Sequence, residues 1–444
     1  MRVMPTPLPR AERLCLRRPV RSSCVGAAVA LGLSLGLLLA PAAHAHDTAA
    51  DPLPDSPGLR LGASALLSAL SADPQPLPAA RYSGWLGSGQ TPANRQGAGL
   101  EHATAELGLR LTPALGAALA WGKHGGDRSH VEAARLEWRQ PLTDLPRPLA
   151  GELRLTAGRD RVALGAPVAA AGHFDRVALV PLAKRLMLND DWLDDGVNLQ
   201  WRAAAGEAVS GDATAPVSLQ AVDLGLWRAR KFPGARQGRA APVLHLQGEA
   251  GELELDVFAA ALTPRGRGTP AASVTAGHRH DVPDCSRSLV GLVCFDGRSS
   301  LTGASLSWAP HGQALQLQGS WMAQLERGQL YSANGDVTYR GLQQGGWGDL
   351  IVKLAPRWQT VLRAERVTSS HRLVGPGASL VSQDAGLAPN HAVQRQTLAL
   401  GWTPRRSLAL WAEAGREQTG TATGQRWVGL RLALSNDQLW SLAW

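Results

Sequence analysis

Gln438-Leu439-Trp440-Ser441-Leu442-Ala443-Trp444 is the stretch whose reading decides the fold. Side chains of a strand point alternately to its two faces, so Trp440, Leu442 and Trp444 share one face, with an aromatic as the last residue. Soluble domains trail off in polar, mobile ends. The stretch is therefore either a strand docked in a soluble sheet or the closing strand of a membrane barrel. The same alternation upstream favours the barrel. Glu252-Leu253-Glu254-Leu255-Asp256-Val257 sets three acids against three aliphatics, and Glu106 to Leu111, Glu152 to Thr156 and Val197 to Arg202 repeat the split. It returns in Leu244 to Gln247, Leu315 to Gln318, Asp349 to Leu354 and Arg395 to Leu400. About ten alternating residues between turn residues is the mark of a transmembrane barrel. A soluble sandwich alternates too, but so many strands with almost no helical periodicity are ordinary for a barrel and unusual for one soluble domain.

The other terminus agrees. Arg2, Arg10, Arg13, Arg17, Arg18 and Arg21 precede an apolar run from Val25 to Ala40, then Pro41 and Ala43-His44-Ala45. A basic segment, a short apolar one and a small-x-small site together predict a secretory signal peptide over 1–45. Cleavage there leaves 399 of the 444 residues and removes six Arg and one Glu, so the formal charge falls from +9 to +4. The high isoelectric point is thus partly an export feature, and no basic stripe interleaved with aromatics points to nucleic acid. No later stretch of roughly 18 apolar residues offers a transmembrane helix. A membrane-embedded chain would then have to be a closed barrel, which satisfies every backbone group in lipid.

The expected fold is all-β: a transmembrane antiparallel up-and-down barrel of 16–18 strands over 59–444, after a short lead-in at 46–58. Candidate strands lie near 59–69, 80–89, 103–112, 115–122, 131–139, 151–158, 196–204, 217–228 and 241–249. Others lie near 252–261, 301–308, 313–323, 346–354, 358–366, 393–402, 406–413, 425–434 and 437–444. Thr112-Pro113-Ala114, Pro356-Arg357 and Thr403-Pro404-Arg405 read as tight turns, and 262–300 and 367–392 as external loops. Of 15 Trp, many fall at strand ends (Trp121, Trp138, Trp201, Trp227, Trp308, Trp321, Trp347, Trp358, Trp402), as expected of girdles at a membrane interface.

The hairpin from Gly345 to Val367, and Gly151 to Arg159 followed by a long insertion, resemble the strand–turn–strand units of general and phosphate-selective-type outer-membrane porins of Gram-negative bacteria. The aromatic final strand resembles the signal that barrel-assembly machinery reads, carried here by Trp440, Leu442 and Trp444. The resemblance implies passive diffusion of small solutes, an inward-folded constriction loop, contact with outer-membrane lipid and lipopolysaccharide, and often a homotrimer. Tyr is scarce, and no dense Arg/Lys ladder of a dedicated phosphate channel is present.

The insertion at 159–196 is the candidate constriction. Arg159, Arg161, Arg176, Lys184 and Arg185 come first, then Asp190, Asp191, Asp194 and Asp195. Fixed charges in a confined lumen select ions by Coulomb attraction; the alternative is a solvated loop whose charges pair among themselves. Val177 to Leu182 is apolar, which favours folding inward. Arg154 and Arg202 belong to the inward-facing wall, with Glu106, Arg110, Glu152, His245, Glu252, Glu254, Asp256, Lys353 and Arg395. So mixed a lining predicts weak selectivity with a slight anion lean. Cys285 and Cys294, nine residues apart in an exported chain, read as a disulfide. His278, His280 and Asp281 could hold a borderline metal such as zinc, which gives a rival reading as a metal-uptake barrel. No catalytic set stands out and no cofactor is expected; a barrel enzyme or an adhesin is the second alternative.

Overall fold

The computed structural model describes residues 52–73, 82, 84–86, 97–125, 129–146, 149–172, 174–204, 218–274, 282–387, 391–420 and 424–443. The expected signal peptide, the His278/His280/Asp281 group and Trp444 lie outside the described residues.

The strands are β1 (Gly58–Asp73), β2 (Gly97–Arg110), β3 (Leu115–His124), β4 (His130–Leu142), β5 (Gly151–Arg161), β6 (Leu193–Ala203), β7 (Ser218–Trp227) and β8 (Ala241–Ala250). Then come β9 (Leu253–Leu262), β10 (Arg267–Pro270), β11 (Leu292–Trp308), β12 (Leu315–Ser332), β13 (Gly335–Ala355) and β14 (Trp358–Val374). β15 (His391–Arg405), β16 (Leu408–Thr419) and β17 (Gln425–Ala443) complete the set. Each pairs antiparallel with its neighbour, and β1 pairs with both β2 and β17, so the sheet closes. β10 is a four-residue addition to the far end of β11, which itself pairs directly with β9. The wall is therefore a closed antiparallel 16-strand barrel.

Alternation in sequence becomes inside and outside. In β13, Val337, Tyr339, Gln343, Trp347, Asp349 and Ile351 are buried inward, while Arg340, Leu342, Leu350 and Leu354 face out. The outer face carries exposed Leu136, Leu224, Leu226, Leu362, Leu398, Val428 and Leu430. A water-facing wall with so continuous an apolar band would aggregate; the same band is what a lipid-facing barrel requires. Among the described residues no helix is long and apolar enough to cross a membrane.

Two of the eighteen candidate strands are absorbed. The segment near 80–89 contributes Tyr82 and Trp85 to the interior instead of the wall. The stretches 425–434 and 437–444 are one strand, β17, broken only by a register shift opposite Leu61 and Ala63. Trp440 and Leu442 face out at its end.

One end of the barrel has short turns at 111–114, 251–252, 356–357 and 406–407, with one longer connection at 204–217; the other carries most of the long connections, among them 162–192, 263–291 and 375–390. Thr403 to Arg405 proves to be strand, because β15 runs on to Arg405. The tall side, β11 to β14, also takes in 292–300 and 367–374, which the sequence reading assigned to loops. The tryptophans divide. Trp121, Trp138, Trp321 and Trp358 face out, and Trp358 stacks on Trp402 at the short-turn end with ring centroids 5.9 Å apart. Trp227 and Trp347 are buried inside and leave the girdle.

Candidate functional site: a loop across the lumen

Between β5 and β6 the chain turns inward. It forms two short helices, α1 (Ala166–Ala170) and α2 (Leu182–Leu188). Pro181 precedes the first turn of α2, and Asn189, with φ of 56°, ends it in the left-handed conformation that short polar side chains tolerate. α2 packs on β12, β13 and β14, strands far around the wall from β5 and β6, so the insertion crosses the lumen. Its apolar residues drive this. Val162, Leu164, Val168, Leu182, Leu186, Met187, Leu188 and Trp192 cluster with Met322, Trp347, Val367 and Val393 of the wall and with Tyr82 and Trp85. Val177 packs on Ile351, Val361, Ala399 and Trp411, and Leu179 on Leu70 and Trp427. Each such side chain stabilises by about 1.5–3 kcal/mol when fully buried, more than an exposed ion pair supplies, at about 0–1 kcal/mol.

A polar seam fixes the register of this crossing. Arg363 on β14 is fully buried and holds Asp349 of β13 at 2.6 and 2.7 Å and Asp175 of the loop at 2.8 Å. Arg395 on β15 meets Glu417 at 2.8 Å and donates to the Val180 carbonyl at 2.9 Å and the Tyr82 hydroxyl oxygen at 3.2 Å. The amide of Leu182 donates to Glu365 at 2.6 Å, that of Ala178 to Glu413 at 2.8 Å, and Arg431 donates to the Asp175 carbonyl. Burial raises the Asp175 carboxyl above its ordinary range, while the Arg363 guanidinium opposes the shift. Burial also brings the Arg176 guanidinium down to about 10.

The predicted constriction charges take four places. Arg161, Lys184 and Asp191 pair within the insertion: Lys184 Nζ reaches Asp191 at 2.8 Å and the Ala171 carbonyl at 2.8 Å, and Arg161 reaches Asp191 at 3.3 Å. Burial pushes the Lys184 ammonium down and Asp191 opposes it. Arg176 and Arg185 are buried, and Asp190 has a left-handed φ of 74°. Asp194 accepts from the amides of Arg230 and Lys231 and from the Trp192 indole, so it ties the loop at 228–240 to the insertion. Arg159 and Asp195 share the outward face with Val197 and Leu199 and pair at 2.9 Å, with Arg228 at 3.3 Å from the same carboxylate. These two are not lumen residues. Arg154 lies beside Glu152 and Glu137, and Arg202 is exposed inside the short-turn rim, opposite Glu152 in register. Among the described residues, most of the insertion's charges are used in building it.

The opposite wall keeps its own polar groups. Arg110, Arg139 and Arg154 surround buried Glu137, and His245 sits between Asp223 at 2.9 Å and Asp256 at 2.8 Å. Sequence reading passed over Asp175 of the loop, and over Glu365, Arg363, Glu413, Glu417 and Arg431, the wall groups around the seated loop. Wall positions of inward parity were the only signal for the last five. The Cys285 and Cys294 sulfurs lie 2.01 Å apart, joining the 263–291 connection to β11.

Outside, at the long-loop end, four arginines form a row. Arg298 of β11 is paired in register with Arg327 of β12, Arg327 with Arg340 of β13, and Arg340 with Arg372 of β14. All four are exposed on the outward face, two residues beyond the apolar Leu325 and Leu342. Neighbouring strands are about 4.8 Å apart, so the row is a line of like charge that an anion would relieve.

No protein-family model matches the sequence, and no curated relative does. Solved structures match over nearly their whole length. OmpT of Vibrio cholerae expressed in the outer membrane is 10% identical, covering 86% of this chain and 99% of that one, with a TM-score of 0.51. Its loop L8 deletion mutant is 9% identical over 85% of this chain and 99% of that one, also with a TM-score of 0.51. An in-vitro folded trimer form is 9% identical over 86% of this chain and all of that one, with a TM-score of 0.50. At such identity the likeness is one of fold, the closed barrel of outer-membrane proteins.

Proposed function

We propose that the chain is an outer-membrane porin, exported by residues 1–45, through which small hydrophilic solutes and ions diffuse passively without an enzymatic step. The observation that carries this reading is an apolar outer face around a charged inner wall, with a loop laid across the lumen. Such a partition suits a lipid-embedded wall and an aqueous, narrowed interior. The +4 balance supports a weak anion preference. The arginine row supports contact with lipopolysaccharide, whose phosphates would lie beside the long-loop end. A homotrimer is the assembly we expect, and the Trp440–Trp444 strand is the segment we expect the assembly machinery to read. Planar-bilayer recordings test the function: discrete conductance steps with a small reversal potential of anionic sign in asymmetric KCl are expected. Folded protein that conducts nothing would overturn the porin reading and leave the adhesin and enzyme readings.

A further inference from the structure

We propose that His102, His124 and Glu132, with His130 beside them, form a binding site for a borderline divalent metal ion such as zinc. The three histidines sit on β2, β3 and β4 near the long-loop end and converge on one carboxylate oxygen. His102 Nε2 is 2.9 Å from Glu132 Oε1, His124 Nε2 is 3.3 Å from it and His130 Nε2 3.8 Å. The ligand atoms of His102, His124 and Glu132 all lie within 4.8 Å of one another. Tetrahedral zinc with bonds of about 2.0–2.1 Å sets its donors about 3.3 Å apart, so these separations need only small movements to admit the ion. Imidazole and carboxylate are also the donor types zinc takes.

The backbone is shaped to make this convergence. On β4, inward residues below the cluster are Arg135, Glu137 and Arg139; a register shift then pairs Ala120 with Ala133 but Trp121 with Val131. Glu132 is the extra residue. A bulge of this kind re-aims side chains and exchanges the faces beyond it, which brings His130 inward opposite Gly122. A matching shift on β2 lies next to His102, between the pairs Leu66–His102 and Leu67–Leu100. Gly122 leaves the room: a Cβ there would stand 1.9 Å from Glu132 Oε1 and 2.3 Å from its carboxyl carbon. The His102 and His124 rings stack at 4.4 Å and those of His124 and His130 at 5.1 Å, while Phe174 of the lumen-crossing loop lies 5.6 Å from His102. A bound ion would therefore fasten three wall strands together beside that loop.

The test uses full-length mature protein without a histidine tag, folded in detergent, stripped with a chelator and titrated with zinc alone by calorimetry. Cobalt serves as a visible reporter of a tetrahedral nitrogen–oxygen site. One zinc per chain is expected. Gly122→Ala, which displaces Glu132 and removes no donor, should weaken binding about 10–100-fold, the usual effect of disturbing a ligand's support. His124→Ala and Glu132→Gln should weaken it further and erase the cobalt bands. His311→Ala, on an exposed turn, should change nothing. Folding of each variant is read from heat-modifiable gel migration. Folded wild-type protein that binds no zinc overturns the proposal without reference to any variant. So does zinc binding that survives His124→Ala and Glu132→Gln, or that is lost in His278→Ala/His280→Ala.

Discussion

Arg363 and Asp175 join the wall to the inserted loop: the guanidinium that grips Asp349 on the neighbouring strand also touches Asp175 at 2.8 Å, with all three groups out of water. Removing one partner of a buried ionic set strands the others. Arg363→Ala should therefore cost about 3–5 kcal/mol, read as a lower urea midpoint for the folded protein in detergent. It should also release the loop, seen as new protease cleavage within 162–192 and noisier, larger conductance steps. Adding Asp175→Asn to Arg363→Met should restore part of the loss, since one stranded charge is then gone.

Lys184 gives the docked loop a pH dependence. Burial depresses its ammonium, so the docked state binds fewer protons than the free loop between its lowered pKa and the ordinary lysine value of about 10.4. Stability rises with pH wherever the undocked state holds more protons. Docking should accordingly tighten as pH rises from neutral toward 10, read as slower protease cleavage of 162–192. Arg161, Asp190 and Asp191 face this ammonium. Lys184→Met should flatten the dependence; an unchanged pH profile in that variant would locate the effect elsewhere.

The arginine row should matter to lipid and not to the barrel. Arg327→Gln combined with Arg340→Gln removes two like charges facing each other across β12 and β13. Stability in neutral detergent should be unchanged or slightly raised. Binding to lipopolysaccharide micelles, followed by gel shift, should weaken and lose much of its salt dependence. Equal binding by both proteins would remove the row from the lipid contact.

Reducing Cys285–Cys294 opens a loop of about ten residues, for which chain entropy gives about 2–3 kcal/mol. The effect should stay local: faster proteolysis between 263 and 291, with barrel migration on gels unaltered.

The barrel was legible because lipid outside and polar groups inside impose a two-residue period on nearly every strand, as in Glu252 to Val257. It faded where the pattern inverts: Arg298, Arg327, Arg340 and Arg372 stand outward above the apolar band while Val293, Phe295, Leu330, Val337 and Tyr339 are buried inward, so 292–300 and 367–374, at the upper ends of β11 and β14, read as loop. Segment 80–89 failed for the opposite reason: Tyr82 and Trp85 have the apolar character of a wall strand but are buried in the lumen. The insertion was legible through its charges, yet their roles were not. Lys184 finds Asp191 seven residues on, whereas Arg363 and Asp175 are 188 positions apart, and nothing local marks that pairing. The His102–His124–Glu132 convergence was hidden likewise, because a bulge at Glu132 reverses the parity that the rest of β4 follows.

Beside its apolar packing, the crossing loop is held to the wall by four contacts to its main chain. Glu365 and Glu413 take the amides of Leu182 and Ala178, while Arg395 and Arg431 take the carbonyls of Val180 and Asp175. A peptide group is the same whatever side chain it bears. Part of the instruction for where the loop lies is thus written in the barrel and is blind to side-chain identity, while Val177 and Leu179, buried against the wall, carry the part that depends on the loop's own sequence.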